Sequence, residues 1–218
     1  MRIYALSDIH GHLREFEEAL QLTDLSGENR LILLGDYVHG PDSRGVVRRI
    51  MELQDEYGEG KIIALAGNHE AMVVDGSWPL EGPCEEEDAR MIAWMKRLPL
   101  YYRTESQIFV HAGIDEDAGK WWEWGVPDEY FIWKFPAQTG RFYMDIIAGH
   151  VATCDLACDP EYHDIYFDGE SHYYIDGQTH RSRAIPVLMY DTTKKRYYQM
   201  VSDGARPICS PYSRGHEA

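Results

Sequence analysis

Three short apolar runs constrain this chain most: "RIYAL" (Arg2 to Leu6), "RLILL" (Arg30 to Leu34) and "KIIALA" (Lys61 to Ala66). Each is too short for a core helix, and the last two show little polar alternation. They read as strands buried on both faces. Between them, "LREFEEALQLTDL" sets Leu13, Phe16, Leu20 and Leu22 at helical spacing, and "SRGVVRRIMELQDEY" predicts a second helix. Strand-helix-strand-helix-strand requires right-handed crossovers and a mostly parallel sheet.

The second half is richer in strands: "QIFVHAG", "MDIIAGH", "HYYID", "IPVLMYD" and "RYYQMV". They read as a second, largely antiparallel sheet packed on the first. The middle holds an acidic loop, "EGPCEEEDAR", then a helix through Met91, Trp94 and Met95. With 218 residues and no internal repeat, one domain over 1–218 is expected, with a peripheral tail from about 203.

Polar groups follow the apolar runs in a regular way. The first run leads into Asp8-Ile9-His10, the second into Gly35-Asp36, and the third into Gly67-Asn68-His69-Glu70. "QIFV" leads into His111-Ala112-Gly113, and "MDIIAG" into His150. One such residue alone is an ordinary turn or core group; the repetition carries the signal. Ligands of α/β sheets sit beyond the carboxyl ends of strands, so these ends converge on one expected site. Gly11, Gly35, Gly67, Gly113 and Gly149 permit tight turns and close backbone approach there.

Asp8, His10, Asp36, Asn68, His111 and His150 form a mixed oxygen and nitrogen set without a thiol. Such a set suits Mn, Fe or Zn better than Ca. Six ligands with one shared carboxylate suffice for two divalent ions. Two ions roughly 3.5–4 Å apart clamp an in-line displacement at phosphorus and supply hydroxide near neutral pH. The net charge of -16 argues against a nucleic-acid polymer or an anionic membrane as partner. It admits a phosphorylated substrate, because two divalent ions outweigh the two carboxylates that hold them. No apolar run reaches the roughly 20 residues of a membrane span, "MRIYALSDIHG" does not read as a signal peptide, and four cysteines are too few for a disulfide scaffold. Cys154 and Cys158 read as reduced thiols rather than a zinc pair, and a cytoplasmic protein is expected.

The motifs "DIHG" (8–11), "GDYV" (35–38), "GNHE" (67–70), "FVHAGI" (109–114) and "AGH" (148–150) resemble those of the calcineurin-like, PPP-type metallophosphoesterases. This family includes serine/threonine protein phosphatases and symmetrical dinucleoside-tetraphosphate hydrolases. "LPLYY" (98–102) resembles the stretch before the family's fourth motif. The resemblance implies a four-layer α/β/β/α sandwich of two mixed sheets. It implies a first metal on Asp8, His10 and Asp36, and a second on Asp36, Asn68, His111 and His150. His69 would donate a proton to the leaving oxygen.

One stretch departs from the family. "GDYVHGPDS" stands where "GDYVDRGPDS" is usual, so His39 replaces an Asp that orients the proton donor and an Arg that binds phosphate. His39 is expected to take one of these roles. Arg181, Arg183 and Arg44 are expected at the substrate, with Lys134 and Arg141 as further candidate cations. Trp121, Trp122 and Trp124 read mainly as packing residues, and alternatively as an aromatic wall. The leading expectation is a dimetal phosphoesterase acting on phosphoserine or phosphothreonine. A dinucleoside polyphosphate hydrolase is the alternative, and a metal-binding scaffold without activity is the reading from another class.

Overall fold

The computed structural model describes residues 1–83, 86–124 and 126–209. Strands β1 (Arg2–Leu6), β2 (Arg30–Leu33) and β3 (Ile62–Ala64) pair in parallel, linked by helices α1 (Leu13–Leu20) and α2 (Ser43–Tyr57). Helix α1 stops before "LTDL", where Thr23 Oγ1 donates back to the Leu20 carbonyl at 2.8 Å and closes the turn. Helices α3 (Asn68–Asp75) and α4 (Asp88–Met95) follow, then β4 (Tyr101–Arg103) and β5 (Gln107–Val110). A 3-10 helix (Glu116–Trp121) and α5 (Glu129–Trp133) precede β6 (Asp145–Ala152) and α6 (Thr153–Ala157). The chain continues through β7 (Tyr166–Phe167), β8 (His172–Asp176), α7 (Thr179–Ser182), β9 (Val187–Asp191), β10 (Arg196–Val201) and β11 (Gly204–Pro207).

Two sheets form, in the orders β11-β10-β9-β1-β2-β3 and β4-β5-β6-β8-β7. The expected division of the chain into a parallel first sheet and an antiparallel second one is corrected. Strands β9 and β10 return to the first sheet, β9 lying antiparallel to β1. The second sheet has a parallel centre, β5-β6-β8, with antiparallel edges. "IPVLMYD" is apolar on both faces, so it suits the interior position beside β1 rather than an edge. β11 pairs with β10 as a fully exposed edge strand; residues 210–218 lie outside the described residues.

Strand alternation builds the layers. Tyr4, Leu6, Leu31, Leu33, Ile62 and Ala64 face α1, α2 and α4, packing on Phe16, Val46, Ile50 and Trp94. Their neighbours Ile3, Ala5, Ile32, Leu34 and Ile63 face the other sheet and meet Phe109, Ile147 and Ile175. The outer face of the second sheet, including Ile108, Val110, Ile146 and Tyr174, is covered by Trp122, Phe131 and Ile132. This is a four-layer α/β/β/α sandwich with three apolar interlayers. Trp122 is fully buried, whereas Trp121 and Trp124 are 72% and 69% exposed. The three tryptophans therefore divide between packing and surface.

Candidate metal centre

The carboxyl ends of β1, β2, β3 and β5 point to one rim. Asp8, Asp36, Asn68 and His111 stand there, all buried, beside half-exposed His10 and His150. Most of these groups leave their strand through a left-handed backbone. φ is 54° at Asp8, 45° at His10, 56° at Asp36, 63° at His39 and 63° at His150. Residues other than glycine seldom adopt this region, Asn, Asp and His most often among them, and such outliers gather at functional sites.

His150 does not end its strand, as the sequence suggested. β6 runs on to Ala152, and its register against β8 slips between Ala148 and Ala152. The slip is a bulge that turns His150 outward, its N–H aimed at Asp8 at 3.1 Å. A Cβ on Gly149 would fall 2.1 Å from Asp8 Oδ2, so only glycine permits this crossing.

Asp36 organises the site. Its Oδ1 accepts the His69 N–H at 3.0 Å. Its Oδ2 lies 3.4 Å from His111 Nε2, 3.8 Å from His10 Nε2 and 3.8 Å from His69 Nε2. His10, Asp36 and His69 form one potential ligand group, and Asp36, His111 and His150 another, sharing the carboxylate. Asp8 Oδ1 is 3.9 Å from His10 Nε2. These spacings are about those of atoms each ~2.1 Å from a common ion. The donors are oxygens and imidazole nitrogens, and the central carboxylate is buried, so the residues present fit a pair of divalent ions. Among the described residues neither ligand group includes a cysteine; Cys154 and Cys158 are free thiols.

Surrounding groups fix the imidazoles. His10 Nδ1 donates to the Val38 carbonyl at 3.1 Å and turns Nε2 towards Asp8 and Asp36. His111 Nδ1 donates to the Leu34 carbonyl at 2.9 Å, and its Nε2 donates to Asn68 Oδ1 at 2.9 Å. Both His111 nitrogens thus carry protons when no metal is bound. Burial opposes this charge, but Asp36 and Asp8 outweigh it and raise the imidazole pKa to about 9. Burial likewise pushes the Asp36 carboxyl up, and His111, His10 and His69 overcome it, holding it far below the ordinary carboxylate range.

Two groups given no role in the sequence support the site. The buried Glu70 carboxylate accepts N–H bonds from Asp36 and Tyr37 at 2.8 Å and from Gly67 at 2.9 Å. It ties the turn after β2 to the start of α3. Burial and the nearby Asp36 charge lift its pKa to about 7 against these bonds. Asp176 ends β8 almost fully buried, and burial with the Asp8 charge raises it to about 8. The "GNHE" stretch carried a signal for Glu70, since a glutamate three residues into a helix reaches back to its N-terminal amides. Asp176 had only its place at a strand end.

His39 contacts the candidate proton donor. Its Nδ1 is 2.8 Å from His69 Nδ1, and its Nε2 donates to the Trp78 carbonyl at 2.9 Å. Neutral His39 therefore accepts from His69 Nδ1–H, leaving His69 Nε2 towards Asp36. Burial lowers the His69 pKa, only partly offset by Asp36.

The candidate cations are mostly engaged elsewhere. Arg44 forks onto Asp88 at 2.7 and 2.9 Å and donates to the Glu81 and Pro83 carbonyls. It ties Glu81, Pro83 and Asp88 to α2. Lys134 donates to the Ile114 carbonyl, Gln138 and Glu116. Arg183 Nη1 lies 3.3 Å from His12 Nδ1, two residues from His10, and Arg181 lies 3.4 Å from Gln178. Thr179 Oγ1 donates to the Asp8 carbonyl at 2.9 Å and anchors this arginine-bearing turn beside the site.

Two mixed sheets with imidazoles and carboxylates gathered at their strand ends define a metal-dependent hydrolase architecture. The family model for calcineurin-like phosphoesterases matches residues 1–172, and the chain belongs to that family, whose members are metal-dependent hydrolases of phosphoester bonds. A symmetrical bis(5'-nucleosyl)-tetraphosphatase of Nitrosospira multiformis is 33% identical over 129 residues, 52% of this chain and 44% of the relative. One of Aromatoleum aromaticum is 32% identical over 133 residues, covering 52% and 45%. The matched region thus spans less than half of these relatives. Among solved structures, a protein provisionally assigned as a diadenosine tetraphosphatase superposes with TM-score 0.62 at 18% identity, covering 91% of this chain and 92% of that one. A cold-active protein-tyrosine phosphatase of Shewanella gives 0.71 at 14%, covering 95% and 80%. These two likenesses bear on the fold alone.

Proposed function

We propose that the chain is a dimetal phosphohydrolase acting on a nucleoside polyphosphate of the dinucleoside tetraphosphate type. The observation that supports the metal chemistry is the sharing of Asp36 Oδ2 by His10, His69 and His111 within 3.8 Å. The tetraphosphatase relatives support the substrate class over the phosphoserine or phosphothreonine expected first.

Asp8, His10 and Asp36 would hold one ion, and Asp36, Asn68, His111 and His150 the other, with Mn, Fe or Zn as candidates. The ions would neutralise phosphoryl oxygens and provide a hydroxide nucleophile. Asp36, common to both potential ligand groups, would be shared between the ions. The Leu34 and Val38 carbonyls keep His111 and His10 in their ligating tautomers. His69, once protonated, would deliver its Nε2 proton to the leaving phosphate oxygen while its Nδ1 proton rests on His39. Arg183 and Arg181 would supply positive charge beside His10.

The test is hydrolysis of diadenosine tetraphosphate by chelator-stripped protein with and without Mn. Metal-dependent release of ADP is expected. Metal-dependent cleavage of phosphoserine peptides with no cleavage of the dinucleotide would transfer the reading to protein phosphatases. No cleavage of either, with two metals bound, would remove both.

A further inference from the structure

Trp78 stands beside the His39–His69 pair and lies outside every apolar layer. Its side chain is 48% exposed. One indole face stacks on His39 with centroids 4.1 Å apart and planes 14° apart. The indole centroid is 5.5 Å from the His69 ring. Leaving half of an indole in water forgoes part of its burial energy.

This tryptophan is nevertheless held in place. Its backbone N–H donates to the Met72 carbonyl at 3.2 Å, and the Ser77 backbone N–H donates to Asp75 at 2.8 Å. Further along the loop, Ser43 Oγ donates to the Glu81 carboxylate at 2.8 Å, and Arg44 forks onto Asp88. Trp78 thus offers an aromatic surface next to the group proposed to protonate the leaving side.

We propose that Trp78 is a stacking platform for the base of a nucleoside polyphosphate whose phosphates occupy the metal centre. The phosphate end of this assignment rests on the function proposed above; the base end rests on Trp78. An uncharged π-face binds a base without a local positive field, which suits a chain of net charge -16. The ADP side of a dinucleoside tetraphosphate carries two phosphates and a ribose before its base, a flexible span that can turn the base back onto the exposed indole face, 5.5 Å from the His69 ring. The aryl ring of a phosphotyrosine is the rival occupant of this face.

The test is calorimetric titration of the Mn-loaded full chain with a methylene-bridged adenosine polyphosphate and with methylenediphosphonate. Trp78→Leu should weaken the nucleotide about tenfold and leave the diphosphonate unchanged, since base stacking on an aromatic residue is worth ~1–3 kcal/mol. Trp78→Phe should restore most of the loss. Equal nucleotide affinity in wild type and Trp78→Leu would overturn the platform, as would an equal loss for both ligands. A loss confined to a peptide bearing a phosphotyrosine phosphonate mimic would also overturn it, in favour of an aryl ester. If nucleotide binding depends on Trp78 but wild type hydrolyses no phosphoester, the hydrolase reading fails and the platform stands. If diadenosine tetraphosphate is cleaved and the variant binds nucleotide normally, the platform alone fails.

Discussion

The Nδ1 atoms of His39 and His69 lie 2.8 Å apart. An imidazole thus meets the proposed proton donor where the family resemblance implies a carboxylate. A neutral ring supports an imidazolium less than a carboxylate does, because it brings no charge. Burial already lowers the His69 pKa.

His39→Asp should therefore raise the His69 pKa and move the alkaline limb of kcat to higher pH. The sign follows from the role: an acid catalyst is lost as pH rises through its pKa. His39→Ala should lower kcat about tenfold with little change in KM. A pH–rate series on the three proteins checks both. An unmoved limb in His39→Asp would separate His39 from the chemistry.

Asp36→Asn removes the charge shared by both ligand groups. Bound metal should fall from about two ions per chain to one or fewer, with turnover down by a factor on the order of a thousand. Elemental analysis beside the diadenosine tetraphosphate assay reads this. Full metal content with full turnover would remove the dimetal assignment.

Metal loading should release protons near neutral pH. Without metal, His111 holds both ring protons, with its pKa raised to about 9 by Asp36 and Asp8 against burial. Ligation requires a neutral ring, so Mn affinity should rise with pH up to about 9. Titrations in buffers of different ionisation enthalpy should show about one proton released from this group.

Glu70 accepts three backbone N–H bonds. Glu70→Ala leaves those donors buried and unpaired, and should destabilise the chain by about 3 kcal/mol or more. Glu70→Gln, which keeps one acceptor oxygen, should cost less. Urea unfolding of the two variants measures the order.

A separate ionic cluster pins the segment that covers the second sheet. Buried His172 lies 2.9 Å from Asp168 and 3.1 Å from Glu116, which also meets Lys134 at 3.3 Å. Burial lowers the His172 pKa, but Asp168 and Glu116 overcome it and raise it to about 9. The folded value exceeds the unfolded one near ~6.5, so the stabilisation is complete below that pH and is lost as pH rises through about 9. The Tm of wild type should fall between pH 7 and 10, and that of His172→Gln should fall less.

Much of this was legible in the sequence because the information is local. The first three strands are unbroken apolar runs, and each metal-site candidate follows an apolar run directly. The placing of β9 and β10 was not legible, because an antiparallel partner is chosen by distant packing rather than by the strand's own residues. The bulge that turns His150 outward was hidden for the same reason: it is a register difference between two strands. Arg44, a candidate substrate cation, is bonded to Glu81, Pro83 and Asp88. Its partner Asp88 lies far along the chain, and nothing near Arg44 announces the pair. His39 was singled out as a departure from the family, but its contact with His69 depends on the Trp78 carbonyl, which no motif marks.

Asp8, His10, Asp36, His39 and His150 hold a left-handed backbone at the rim. Folding therefore shapes the cradle before any ion arrives, and an incoming ion need not reorganise the chain to find its ligands. The conformational entropy of ordering those side chains is removed from the binding step and charged to the fold. Metal uptake should then proceed without backbone rearrangement, accompanied by proton loss from His111. Glycine at His39, which relaxes the backbone and removes the ring, should leave a firmer fold around a poorer catalyst.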